Sequence, residues 1–391
     1  MTNKQLYHRI DQAAAELCAI SDDIFDHPEL SGREYHACEV LTAFLERAGF
    51  RVEKGVGGLE TAFRATWSNG AGGPNFGLLC EYDALPDLGH GCGHHAQGPA
   101  ILGAALALKD MADDKPFTIT VYGTPAEESI GGKIVMQKNG CFEELDVALM
   151  FHAGQTTTTD IKSLALSSFK VRFHGRSAHA AMAPEEGRSA LDGLMLAFQG
   201  VEYMREHVRE DTRMHYTITN GGGADNVVPA LAEGTVTLRS YNRAYLDTVV
   251  ERLRDIIAGA GLMSGTQGEL VEDLPFDSKI PVLRLNQLLM EKAQALNAPT
   301  IRPAREKTGS TDFGNVMYRV PGSCIRVAFV PEHCVAHSME YVQAGKSEEM
   351  HQALLIAAKV LAAAGGDMLE QPELLTEIRE EFRQRKQELG R

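Results

Sequence analysis

The sequence predicts a two-domain α/β protein in which a smaller α+β domain is inserted into a larger domain built on a largely parallel sheet. Helical patterns alternate with short apolar strands up to about residue 165, as expected for parallel strands covered by helices. Over about 167–273 the order becomes strand, helix, strand, strand, helix, strand, which is the ferredoxin-like arrangement. The α/β alternation resumes near residue 280. The predicted domains are therefore 1–165 with 277–391, and the inserted 166–276.

The elements of the larger domain follow from the spacing of its apolar residues. The chain begins with an amphipathic helix that Asp11 and Glu16 interrupt. A long Ala/Leu-rich helix is predicted at 95–111, and the strands around it at 62–67, 76–80, 117–122 and 147–151. After the insertion, a helix and a strand are predicted at 285–296 and 324–330. The next helix begins after the N-cap Ser347 and ends at Gly365. The charged tail after Gln371 predicts a solvated helix.

The inserted domain is predicted from a change between strand and helix periodicity. Its strands are expected at 168–175, 214–220, 234–242 and 268–273, and its helices at 188–208 and 246–261. Elements in this order form a compact second domain.

Composition weighs against binding to nucleic acid and to membranes. The 391 residues are 44% hydrophobic and 23% charged, as in an ordinary folded protein, and carry a formal net charge of −15. This charge weighs against binding nucleic acid or anionic membranes, because both need a basic surface. The N-terminus lacks the features of a signal peptide, and no apolar run reaches the roughly 20 residues that span a bilayer. We therefore predict a cytoplasmic protein whose seven cysteines are mostly reduced.

Polar side chains follow four of the predicted strands, and each segment contains residue types that bind metals. After Cys80 comes EYDALPDLGHGCGHH, after Tyr122 comes GTPAEES, after Phe151 comes His152, and after Val330 comes PEHCVAHSMEY. The binding crevice of an open α/β sheet lies beyond the carboxyl ends of its strands. The sequence therefore predicts a metal site in that crevice.

Cys92 and His94 are the first candidate ligands. The glycines of GHGCGHH allow a tight backbone turn, so that a thiolate and an imidazole two residues apart can converge on one point. Both ligand types suit zinc and similar metals. Taken alone, the pair is more often a packed cysteine beside a surface histidine. The carboxylates and histidines at neighbouring strand ends favour the metal site.

Glu127 and Glu128 are adjacent, and in an extended loop adjacent side chains point in opposite directions. One can bind metal while the other faces the substrate as a general base. Without this context, a solvated acidic pair would be the better interpretation. Asp83 is a candidate for orienting a ligand imidazole, and an ordinary turn residue is the alternative.

Two further histidines complete the candidate ligands. His152 ends an apolar strand, where a histidine is more often a buried structural residue, but its place at the crevice favours a ligand. His337 follows the strand at 324–330 and precedes SMEY. His333 and Cys334 are nearby competitors that spacing alone does not exclude, and His95 is a competitor in the glycine-rich loop.

Several ordered motifs run along most of the chain: CEYDALP, GHGCGHH, PAEES, GRSAHAAMAPEEGRSALD, HYTITNGGG, DNVVP, STDFGNV and AHSMEY. This pattern resembles the co-catalytic zinc aminoacylases and carboxypeptidases, and within them the branch of aminobenzoyl-glutamate hydrolases and β-alanyl-lysine dipeptidases. The resemblance implies a three-layer zinc-peptidase-like α/β catalytic domain with an inserted ferredoxin-like lid through which the protein dimerises. It also implies two divalent metal ions per subunit, zinc or alternatively manganese, cobalt or nickel.

The same resemblance implies a role for each site residue. The metal ligands fall on Cys92, His94, Glu128, His152 and His337. Glu127 becomes the general base. In the lid, His179 helps polarise the scissile carbonyl, often from the partner subunit, while Asn226 and Arg239 hold the substrate carboxylate. The chain departs from its relatives at His95, where Asn or Asp is more usual, and this bears on substrate choice more than on catalysis.

The predicted reaction is hydrolysis of the amide bond of a small N-acyl or aminoacyl amino acid. Metal ions lower the pKa of a shared water, and Glu127 takes its proton and delivers it to the departing amine. The metals and His179 stabilise the oxyanion, and lid closure brings Arg239 and Asn226 onto the substrate carboxylate. Two alternatives stay open. One is an amidase with Cys92 as nucleophile, and the other is a metal-binding scaffold without activity.

Overall fold

A computed structural model describes residues 2–110 and 112–389, and the chain divides into two units. Unit 1 runs to Ser163 and resumes from Lys279 to Glu388, whereas unit 2 runs from Leu164 to Ser278. The boundaries predicted from sequence lie two residues inside unit 2 at each end. The predicted fold class, an α/β domain interrupted by an α+β insertion, is confirmed.

Unit 1 contains an eight-stranded mixed sheet. With strands numbered along the whole chain, these are β1 (Arg51–Lys54), β2 (Phe63–Asn69), β3 (Asn75–Cys80), β4 (Phe117–Gly123), β5 (Val147–Gly154), β6 (Thr158–Ser163), β11 (Arg305–Thr308) and β12 (Gly322–Ala328). Their spatial order is β1-β2-β4-β3-β5-β12-β6-β11. The four central strands β4, β3, β5 and β12 run parallel to one another. The β1–β2, β2–β4 and β12–β6 pairs are antiparallel, whereas the edge pair β11–β6 is parallel. The predicted largely parallel sheet is therefore correct except where β1, β2 and β6 join it.

The central strands are buried on both faces, which explains their nearly continuous apolar sequences. Sequence patterns missed β1, β6 and β11. These strands are short and polar, with the sequences RVEK, TTDIKS and REKT. Since β1 and β11 form the two edges of the sheet, they need fewer apolar side chains.

Helices cover both faces of this sheet and make three layers. They are α1 (Asn3–Asp26), α2 (Tyr35–Arg47), α3 (Gln97–Asp110), α4 (Gly132–Lys138), α7 (Leu283–Ala295), α8 (Phe313–Met317), α9 (Met339–Gln343), α10 (Glu348–Glu370) and α11 (Pro372–Glu388). α1, α3 and α10 pack together on one face, and α3 and α10 contact β5. On the other face, α4 and α8 share an apolar cluster with Leu79 and Met150 of the strands. The tail helix α11 is not wholly solvated, because four of its apolar residues are buried.

The predicted end of α10 and the predicted start of α3 differ from those in the structure. Ser347 caps α10 as predicted, but the helix continues through Gly365 to Glu370. A Cβ at Gly365 would lie 3.0 Å from a methyl carbon of Leu108, so glycine lets α10 approach α3 closely. The helix predicted at 95–111 begins at Gln97, after a 3-10 turn, and its predicted last residue lies outside the described residues.

The helix α10 also corrects the membrane prediction. It is long and apolar enough to cross a membrane by length and composition alone. However, 72% of its apolar window is buried inside the protein, as expected for a core helix. Its apolar sequence is therefore explained by packing.

Unit 2 has the predicted ferredoxin-like order. Its elements are β7 (Ala165–His174), α5 (Ala190–Arg205), β8 (Arg213–Asn220), β9 (Leu231–Ser240), α6 (Arg243–Ser264) and β10 (Gln267–Glu272). The strands form an antiparallel sheet in the order β10-β7-β9-β8. Residues of β7 and β9 alternate between buried and more exposed, and the buried ones pack against α5 and α6. β8 is an edge strand and is mostly exposed.

Candidate metal centre and active site

The candidate ligands of unit 1 meet at the carboxyl ends of its parallel strands. The loop after β3 carries Cys92 and His94, the loop after β4 carries Glu128, β5 carries His152, and the loop after β12 carries His337. Because these strands run parallel, the side chains reach one edge of the sheet. The prediction placed the end of β5 before His152, but the strand continues two residues beyond it.

The ligand atoms form two groups that share Cys92, and a third group joins His94 and Glu128 to Glu127. Cys92, His94 and His152 bring their ligand atoms within 4.8 Å of one another, and Cys92, Glu128 and His337 do the same. The Cys92 Sγ lies 3.6 Å from His152 Nε2, and Glu128 Oε1 lies 3.5 Å from His337 Nε2. Because Cys92 belongs to both groups, the two positions are adjacent.

Backbone geometry brings these loops together. Gly93 has a φ of +79°, and a Cβ there would lie 3.1 Å from the Cβ of Ala153. His337 has a φ of +66°, which is uncommon outside glycine, and its N–H donates to the Gly91 carbonyl at 2.9 Å. Such strain persists only where the surrounding structure offsets it, and it is frequent at functional sites.

Two ligand atoms fit a metal by being buried without a hydrogen-bond partner among the described residues. They are His94 Nε2 and Glu128 Oε1. His94 Nε2 lies 3.3 Å from Glu81 Oε2 and Glu128 Oε1 lies 3.5 Å from His337 Nε2, but neither contact is a hydrogen bond. Leaving a buried polar atom without a hydrogen bond costs about 1–3 kcal/mol, so a ligand at each atom is favoured. His94 is anchored through its other nitrogen, since Nδ1 lies 3.1 Å from Asp83 Oδ1. This is the usual arrangement of a metal-binding histidine, and the thiolate, imidazole and carboxylate set suits a zinc-like ion.

Asp83 joins the ligand loops. In addition to His94, it accepts hydrogen bonds from the Ser31 hydroxyl at 2.7 Å and from the Glu128 backbone N–H at 3.0 Å. Burial alone would raise the pKa of Asp83, but its hydrogen bonds and the neighbouring His94 hold that pKa below its usual value. This geometry favours the orienting role over that of a turn residue.

The competing side chains lie elsewhere. His95 Nε2 bonds to the Gly345 carbonyl at 2.8 Å. The side chain of His333 is 78% exposed and lies 3.8 Å from Glu340. Among the described residues, neither histidine nor Cys334 joins a group that could hold a metal. The geometry therefore favours His337.

A buried charge network beside Glu127 was missed by the sequence interpretation. Lys133 is completely buried, and its Nζ lies 2.5 Å from Glu81 Oε1 and 2.8 Å from Asp312 Oδ1. The carboxylates of Glu81, Glu127 and Asp312 come within 4.8 Å of one another. Glu81 could have been found, because it follows β3 directly at the carboxyl edge. The contribution of Lys133 depends on a contact that spans 179 residues and has no local signal.

The network changes the acidity of Glu127. Burial is the largest cause that raises the pKa of Glu127 well above its ordinary value, and the charges of Glu81 and Asp312 raise it further. A carboxyl group with a raised pKa gives up its proton closer to neutral pH, as a general acid and base must.

A crevice of about 270 Å³ opens over these groups. Its lining includes the candidate ligands Cys92, Glu128, His152 and His337 together with Glu127. The cationic side chains of Lys279 and Arg326 and the hydroxyl groups of Ser310 and Thr311 also line it. This volume is close to the lower end of small-molecule sites, about 300 Å³.

Unit 2 holds the three residues that the resemblance adds, but it does not bring them together. His179 and Asn226 are exposed, and their loops pair through a hydrogen bond from the Ala180 N–H to the Asn226 carbonyl at 2.9 Å. These loops follow the end of β7 and precede β9. Arg239 is half-buried, eight residues along β9 from Leu231. At about 3.4 Å per residue, Arg239 lies about 27 Å from Leu231 along β9.

Comparison with known proteins gives the family. A family model described as peptidase family M20/M25/M40 matches residues 78–364. The chain belongs to this family. An Xaa-Arg dipeptidase of Mus musculus is 34% identical over 99% of this chain and 94% of its own length. A p-aminobenzoyl-glutamate hydrolase subunit of Escherichia coli K12 is 30% identical over 97% of this chain and 95% of its own.

The fold of the M20 family recurs in solved structures. A dinuclear metal-binding peptidase of the family from Bacillus subtilis has a TM-score of 0.68 and 20% identity, and the match covers 92% of this chain and 99% of that one. The family resemblance predicted from motifs is confirmed, as is the predicted class of enzyme, a metal-dependent peptidase or amidohydrolase.

Proposed function

We propose that the chain hydrolyses the amide bond of an N-acyl or aminoacyl amino acid with two divalent metal ions, zinc or alternatively manganese, cobalt or nickel. The two ligand groups that share Cys92 support the proposal, because His94 Nε2 and Glu128 Oε1 are buried in them without a hydrogen-bond partner among the described residues. The names of relatives that act on dipeptides and on aminobenzoyl-glutamate support the substrate class. The ions would be held by Cys92, His94, Glu128, His152 and His337.

The chain's own residues divide the work around these ions. Bound metal would supply an activated water and polarise the scissile carbonyl. Glu127 accepts the water's proton and returns it to the nitrogen of the leaving amine. Asp83 keeps His94 oriented, and Lys133 offsets the negative charge of the carboxylates beside Glu127.

Substrate binding is proposed to involve unit 2 as a homodimer. His179, Asn226 and Arg239 would polarise the carbonyl and hold the substrate carboxylate. The loops of His179 and Asn226 lie beyond the Leu231 end of β9, and Arg239 lies about 27 Å from Leu231 along that strand. We therefore expect one small substrate to contact residues from two copies of the chain. The exposed edge strand β8 offers a surface for that association. We propose a cytoplasmic location on the basis of the acidic composition and the reduced cysteines.

Amine release from a substrate panel tests this function. Metal-free protein and protein reconstituted with zinc, manganese or cobalt would be given N-acyl amino acids and dipeptides, including aminobenzoyl-glutamate. The proposal expects release that depends on metal and is lost with a chelator. Release that survives complete metal removal would instead support Cys92 as a nucleophile. Metal binding without release from any member would support the scaffold.

A further inference from the structure

Three cations surround one buried carboxylate beside the crevice of unit 1. Asp160 on β6 is 4% exposed. Its oxygens accept hydrogen bonds from Lys279 Nζ at 2.8 Å and from Arg305 Nε at 2.7 Å, and Arg326 Nε lies 3.6 Å away. Lys279 and Arg305 each bond to one carboxylate oxygen. Because three cations surround one carboxylate, the group of four carries a net positive charge.

Arg326 is the one of these three cations that forms no hydrogen bond with Asp160. Its Nε is buried and forms an ion pair with Asp160 at 3.6 Å, but it donates no hydrogen bond to any residue in the described parts of the chain. On β12 it pairs in register with His152 on β5, and its side chain, 21% exposed, lines the crevice. Lys279 lines the same crevice. Burying a charge without a hydrogen-bond partner is costly, so a ligand that provides one is favoured.

We propose that Arg326 and Lys279 form a subsite in unit 1 that binds a carboxylate of the substrate. The guanidinium offers two parallel donors that match a carboxylate, and the ammonium adds a second positive charge. The subsite rests on the proposed function, because it assumes that the crevice binds an N-acyl amino acid. The carboxylate is either the side-chain carboxylate of an acidic amino acid, in addition to the one assigned to Asn226 and Arg239, or the α-carboxylate itself, in which case this subsite replaces those two residues. A cationic side chain at this position would be repelled.

Matched substrate pairs distinguish these two sources. For the side chain, N-acetylglutamate is compared with N-acetylglutamine, and for the α-carboxylate, N-acetylmethionine is compared with its amide. We expect kcat/KM to favour the acid by roughly 10- to 100-fold in one of the pairs, as for a charge-assisted hydrogen bond. Arg326→Gln should reduce that ratio at least tenfold, Lys279→Met should reduce it less, and Arg326→Lys should retain part of it.

Arg305→Gln is the matched control. It removes an ion pair from the same carboxylate, but Arg305 does not line the crevice, so the acid preference should stay near that of the wild type. Fluorescence of Trp67 in unit 1 would verify that each variant is folded.

The subsite is refuted if the ratio of kcat/KM for the acid over its neutral partner is the same in the wild type and in Arg326→Gln for both pairs. Failure of every substrate to be hydrolysed would count against the proposed function instead. Equilibrium binding of the same pairs to metal-free protein decides the subsite in that case. Tighter binding of an acid that Arg326→Gln abolishes supports it, and equal binding of acid and neutral partner refutes it.

Discussion

Replacing Lys133 with Met removes the ammonium that offsets two buried carboxylates. Lys133 is completely buried between Glu81 and Asp312, both also buried. Breaking a buried ion pair by removing one partner costs about 3–5 kcal/mol, because the other charge is left uncompensated. Here two carboxylates are left, so we expect a loss near the upper end, about 4–5 kcal/mol in the free energy of unfolding. Adding Glu81→Gln and Asp312→Asn should recover much of it.

The single tryptophan of the chain makes the assay specific. Trp67 lies on β2 of unit 1, so its fluorescence follows the unfolding of that unit in urea. Metal-free wild type and Lys133→Met would be compared with Lys346→Met as a control. Lys346 pairs with Asp26 at 2.7 Å, but both side chains are well exposed. An exposed pair contributes at most about 1 kcal/mol.

The loss should also depend on pH. In the wild type, burial opposes ionisation of Glu81, but Lys133 holds the pKa of Glu81 below its ordinary value. Burial already raises the pKa of Asp312 in the wild type. Without Lys133, burial and mutual repulsion raise the folded-state pKa of Glu81 above that of the unfolded chain, about 4, and raise that of Asp312 further. Folded protein then binds more protons than unfolded protein, so the destabilisation grows as pH rises above about 4. A loss for Lys133→Met no larger than that for Lys346→Met would refute the reasoning.

Three further experiments test the site itself. Glu127→Gln should lower kcat by about 10²–10⁴-fold while metal content, measured by mass spectrometry, stays at the wild-type level; lost metal would instead make Glu127 a ligand. Asp83→Asn should weaken zinc affinity by roughly 10- to 100-fold in a chelator competition, and an unchanged affinity would exclude the orienting role. His337→Ala should lower zinc stoichiometry in equilibrium dialysis and His333→Ala should not; the reverse pattern would exchange their roles.

Strands and helices were predictable where the local hydrophobic pattern of the sequence determines them. Buried central strands such as β3 and β5 have continuous apolar sequences, and the ferredoxin-like order of unit 2 was evident from its periodicity. The strands β1, β6 and β11 were missed, because their polar sequences form strands only through pairing with neighbours. The end of α10 was misplaced at Gly365, since close packing against Leu108, and not helix termination, explains that glycine.

The candidate site residues were predictable where metal-binding side chains directly follow a predicted strand. This rule selected the segments that hold Cys92, Glu128, His152 and His337, which the structure brings to one edge of the sheet. It did not find Lys133, whose role depends on carboxylates far away in the chain. Nor could it identify Arg326, because the missing hydrogen bond of its guanidinium is evident only once the partners of Asp160 are known.

Titration of metal-free protein with zinc, with amine release followed at each addition, tests the central claim most directly. Two overlapping ligand groups that share Cys92 predict that activity rises with added zinc and reaches its plateau at two ions per chain. Full activity before any metal is added would contradict a two-metal amidohydrolase. So would zinc binding that reaches saturation without amine release from any N-acyl or aminoacyl amino acid.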